Sequence, residues 1–97
     1  MASSDELAAQ LIQHLGSIAG YNDKGRLWSN HTPDEVRANR QQAQAVILRL
    51  VAAIGTEAFS PQLLEKLQSG AAVLDESGDI EAQARAELAA ADRSSAR

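Results

Sequence analysis

Apolar residues recur at helical spacing in four stretches of this chain, and no stretch alternates apolar with polar residues as a half-buried strand would. Leu7, Leu11, Leu15 and Ile18 follow one another so that they share one helix face. Ser3 and Ser4 ahead of Asp5 and Glu6 supply the acceptor and the negative charge that a helix N-terminus favours. Glycine readily takes the left-handed conformation that closes many helices, so Gly20 predicts the end of this one. The first helix is expected over about 4–19.

A second helix is expected over 33–54, and its start is the clearest in the chain. Thr32 and Glu35 have capping-box spacing, Pro33 sits where a missing amide costs nothing, and Asp34 adds charge to the first turn. Val36, Ala43, Ile47, Leu50 and Ile54 form its apolar stripe, widened by Val46, Leu48 and Val51. Arg37 to Gln44 is almost wholly polar, which predicts a segment that projects beyond the core or lines a wet surface. Gly55 ends the helix.

Ser60 and Pro61 repeat the cap-plus-proline signal, and Leu63, Leu64, Leu67, Ala71 and Leu74 predict a third helix over 61–74. Gly70 inside it marks a break or a close helix crossing. After a turn at Asp75 to Gly78, Asp79 caps a fourth helix over 80–92 along Ile80, Ala84, Leu88 and Ala91. That stripe is narrow and alanine-rich, so the fourth helix is expected to be peripheral and weakly docked, with a frayed tail at 93–97. The predicted fold is all-α: a small bundle of about four helices in one domain, with a long loop between helices 1 and 2. That loop, Gly20 to His31, exceeds the roughly 2 to 8 residues that usually join bundle helices.

Composition narrows the function classes. With 97 residues and 44% hydrophobic content the chain supports one core and falls in the globular range. It has no long apolar run, and Met1 to Glu6 lacks the layout of a signal peptide, so a cytoplasmic location and no membrane association are expected. The absence of cysteine removes disulfides, thiolate metal sites and thiol nucleophiles. The nineteen alanines, and seven arginines beside two lysines, resemble the product of a GC-rich bacterial or phage genome.

Charge is unevenly placed in a chain of net charge −4. From Leu50 to Asp92 the acids Glu57, Glu65, Asp75, Glu76, Asp79, Glu81, Glu87 and Asp92 face only Lys66 and Arg85. Between Tyr21 and Arg49 the balance is mildly basic. Phosphate-dominated nucleic-acid binding is disfavoured by the acidic remainder.

Catalytic and metal chemistry find little support. His14 flanks the first apolar stripe and His31 precedes a helix cap, positions that folding explains. Asp34 and Glu35, or Asp75 and Glu76, are adjacent acids that point apart, and helix-dipole and turn roles account for them. No glycine-rich phosphate loop or nucleophile motif is present. A non-enzymatic protein without cofactor or metal is therefore expected.

The long connection carries Tyr21, Lys24, Arg26 and Trp28, and Tyr, Trp and Arg are the residue types enriched at interface hot spots. With Arg37 and Arg40 they are the expected contact residues of a protein–protein interaction module, a small regulator, inhibitor or adaptor that acts by covering a surface. For Trp28 a bundle-capping role weighs evenly against the contact role. The helix around Ile80 and Leu88 offers a second partner surface, including one for homodimerisation. The alternative is a helix-turn-helix-like DNA-binding regulator that uses Arg37, Asn39, Arg40, Gln41, Gln42 and Gln44, which include base-reading side chains.

Overall fold

The computed structural model describes residues 4–23 and 30–95. Among these residues the chain is all helical, without strands, and its four helices are α1 (Ser4–Asp23), α2 (Pro33–Ile54), α3 (Pro61–Ser69) and α4 (Asp79–Ser95). Short 3-10 turns at Thr56–Ala58 and Ala71–Leu74 follow α2 and α3. No described helix is long and apolar enough to cross a membrane.

One apolar core takes side chains from every helix: Leu11 and Leu15 of α1, Ile47, Leu50 and Val51 of α2, Leu63 and Leu67 of α3, and Ile80, Ala84 and Leu88 of α4. The expectation of a weakly docked fourth helix is thus corrected. Its stripe is narrow, but Ala84 lies fully buried beside Ile80 and Leu88, and a small residue there lets α4 pack against α1. Ile80, Ala84 and Leu88 belong to the chain's own core, and Leu88 also lines a surface cleft with Ala8, Ile12 and Arg85. Helix 4 also continues through Ser95. Its start differs by one residue as well: Asp79 is the first helical residue, the Ser77 hydroxyl accepts its N–H at 3.3 Å, and Ala82 donates to the Gly78 carbonyl at 3.0 Å.

The capping box of α2 forms as its spacing predicts. Glu35 N–H donates to Thr32 Oγ1, Thr32 N–H donates to Glu35 Oε1, both at 3.1 Å, and Pro33 opens the helix. The Thr32 backbone N–H, and then its side chain, hold the Glu35 carboxyl below the ordinary glutamate value. Gly55, at φ 110°, ends α2. Leu48, assigned to the apolar stripe, is instead exposed, because three consecutive helical residues cannot all face one core.

The third helix is shorter than its periodicity suggests. Gly70 adopts φ 94° in the left-handed region, ends α3 and starts the 3-10 turn. The break resets the register: Ala72 and Val73 are buried, whereas Leu74, expected in the stripe, is 58% exposed. Gln44 of α2 fastens this end of α3, donating from Nε2 to the Leu67 carbonyl at 2.8 Å, one of the last carbonyls that a helix leaves without an internal partner.

The other end of α3 is tied to α4. The Ser60 hydroxyl accepts the Leu63 N–H, and both its N–H, at 2.6 Å, and its hydroxyl, at 2.8 Å, donate to the Glu87 carboxylate. Gln83 Nε2 donates to the same carboxylate at 2.9 Å. Burial, the largest single influence on Glu87, raises its pKa, but the hydrogen bonds from Ser60 and Gln83 together outweigh it and hold the group below the ordinary value.

Candidate functional site

The site begins with the length of α1. Gly20 does not stop it; the helix runs on to Asp23, and Tyr21, expected in a loop, lies on its last turn. Glycine costs about 1 kcal/mol relative to alanine inside a helix. Tertiary contacts outweigh that cost here. Ala19 is buried, and Asn22, only 8% exposed, donates from Nδ2 to the carbonyls of Val73 at 2.9 Å and Asp75 at 2.8 Å. Two carbonyl acceptors demand a donor, which fixes the orientation of the amide. Asn22 Oδ1 is buried and has no hydrogen-bond partner among the described residues.

This extra turn builds a wall. His14, Ile18 and Tyr21 lie along one face of α1, and Asn39, Arg40 and Ala43 of α2 stand opposite. Between them lies a cavity of about 440 Å³, whose lining also includes Asn22, Val73 and His31. The two helices are joined by His14, whose Nε2 lies 3.1 Å from the Ala43 carbonyl. A carbonyl only accepts, so this ring nitrogen carries the proton.

A second cleft, of about 630 Å³, runs along the N-terminal half of α2 past Val36, Arg37 and Gln41. It shares His31, Arg40 and Val73 with the first cavity, so the surface depression here consists of two adjoining clefts. The polar stretch Arg37 to Gln44 therefore lines a wet surface, one of the two roles its composition implies.

The residues expected to contact a partner are placed as follows. Arg40 is half-buried at the junction of the clefts. Arg37 is exposed on the second, and its Nη1 donates to Asp34 Oδ1 at 3.2 Å. Tyr21 is 52% exposed at the rim of the first. Arg40 thus lines a cleft with each of the other two. Lys24, Arg26 and Trp28, with half of the expected loop, lie outside the described residues.

Sequence reasoning missed His14, His31, Asn39 and Asn22 as members of a common site. His14, Ile18 and Tyr21 do have helical spacing, but the signal is visible only once α1 is carried past Gly20. The base-reading set proposed for α2 is also divided: Gln44 is engaged with α3 and Arg40 lies inside the depression.

No group of three His, Asp or Glu side chains that could hold a metal ion gathers among the described residues. Compared with protein-family models, curated proteins and solved structures, the chain matches none.

Proposed function

We propose that this protein is a non-enzymatic interaction module, a small regulator, inhibitor or adaptor of bacterial or phage type, whose recognition face is the pair of adjoining clefts along α2, one of them shared with α1. The observation that carries the reading is that Tyr21, Arg37 and Arg40 lie around two clefts sharing His31, Arg40 and Val73. Recognition by amphipathic and planar cationic side chains suits such a surface, because these residues give large contact area and directional hydrogen bonds at modest entropic cost.

Site-specific photo-crosslinking tests the proposal. A photoreactive residue replaces Arg37 or Gln41 in the depression, or Glu65 on the exposed side of α3 as a control, and the protein is exposed to lysate of its source. A discrete product from positions 37 and 41, absent from 65, is expected. No product, or the same products from all three positions, would overturn the reading. The purified protein in parallel reports whether the partner is a second copy of this chain.

A further inference from the structure

This surface is lined by cations. Arg37 and Arg40 lie on it, and among the described residues no aspartate or glutamate does, although the chain has 13 acidic residues against 9 lysines and arginines. Asp34 adjoins it only through its pair with Arg37, on the outer cleft. The inner cavity is lined by Arg40, and a guanidinium matches an oxyanion with two parallel donors. Asn39 lies next to it with a further amide donor. The apolar part of the lining is Ile18 of α1, Val73 of the 3-10 turn and Ala43, one turn beyond Arg40 on α2.

We infer that the α1–α2 cavity binds a small amphipathic anion, with its carboxylate or phosphate group against Arg40 and its apolar body over Ile18 and Val73. The volume of about 440 Å³ lies in the range of small-molecule sites. The same chemistry can come from a free metabolite or from a protein chain ending in an apolar residue with a free carboxylate. The inference rests on the reading of this face as the recognition surface and names the group recognised there.

The test uses the full chain, labelled with nitrogen-15, titrated with phenylacetate and, separately, with phenylacetamide, its uncharged counterpart. Phenylacetate is expected to shift the amides of Ser17, Ile18, Tyr21, Asn39 and Ala43 saturably. Phenylacetamide, and phenylacetate on the Arg40→Gln variant, are expected to bind roughly tenfold more weakly or less, the effect of losing a hydrogen bond to a charged group. Equal binding of the two compounds, unchanged affinity in the variant, or shifts scattered away from the cavity would each overturn the inference. Should Arg40→Gln fail to fold, the comparison of the two compounds on the wild-type chain decides alone.

A short peptide ending in phenylalanine, with a free or an amidated C-terminus, separates the sources. Displacement of phenylacetate by the free-acid peptide alone supports a protein terminus, and displacement by neither supports a free small molecule; displacement by both overturns the need for an anion. Crosslinks at positions 37 and 41 without anion binding would remove this inference and leave the interaction reading standing. Anion binding without crosslinks would do the reverse.

Discussion

Asn22, on the last turn of α1, donates through Nδ2 to the Val73 carbonyl on the 3-10 turn, fifty-one residues further along the chain, at 2.9 Å. The same nitrogen donates to the Asp75 carbonyl at 2.8 Å. One short side chain thereby closes one end of the candidate site and satisfies two backbone acceptors of the 3-10 segment. Asn22→Ala removes both donors and leaves the Val73 acceptor in a buried setting. A loss of about 2 kcal/mol is expected in urea unfolding, in line with the penalty for abandoned buried acceptors. Hydrogen exchange should also quicken at residues 20–23. Unchanged stability would show that water replaces the amide without cost.

Glu87 joins α4 to the cap of α3, and its behaviour with pH follows from its partners. Its folded pKa lies below the ordinary glutamate value, so its contribution is present above the unfolded pKa and is lost as pH falls through the folded one. Stability should therefore decline on acidification below the usual glutamate range. Glu87→Ala should cost about 1–2 kcal/mol at neutral pH, the worth of hydrogen bonds to a charged acceptor on a partly exposed group. The variant should lose part of the acid dependence as well. Thermal unfolding followed across the acidic range checks both, and an unaltered acid slope in the variant would assign the dependence to other carboxylates.

Two glycines should respond in opposite directions to alanine. At Gly20 the backbone is helical and an added Cβ meets nothing within 4 Å, so Gly20→Ala should stabilise by about 0.5–1 kcal/mol. At Gly55 the backbone has φ 110°, and the new Cβ would stand 2.9 Å from Glu57 Oε1. Gly55→Ala should destabilise by about 1–3 kcal/mol through the strained positive-φ backbone alone, since the Glu57 side chain can swing aside. Melting temperatures of the two variants should move apart.

The register break at Gly70 distinguishes two leucines of similar sequence standing. Leu67 is fully buried and Leu74 is 58% exposed. Leu67→Ala should cost about 2–5 kcal/mol, whereas Leu74→Ala should stay within about 0.5 kcal/mol. Similar losses at both positions would mean that α3 continues through Gly70 as its apolar spacing first implies.

Local signals were legible where short-range physics decides the outcome. Thr32, Pro33 and Glu35 are close enough in sequence to build the start of α2 by themselves, and Ser60 with Pro61 does the same for α3. Leu11, Leu15, Ile47, Leu50, Leu63 and Leu67 were placed in the core by spacing, and they lie there. Phe59, the buried aromatic between Gly55 and α3, lay outside any helical period and escaped notice.

The sequence by itself determined the helical class, the starts of α2 and α3, and most of the core. Only the tertiary structure decided how far α1 runs, how α4 docks and which polar residues share a site. The physical reason is range. Caps and periodicity act over three or four residues, within one helical turn. The partners that carry α1 past Gly20 are the Val73 and Asp75 carbonyls, and those that bury Ala84 and Leu88 come from other helices. His14, His31 and Arg40 likewise become neighbours of one cavity only after α1 and α2 have packed.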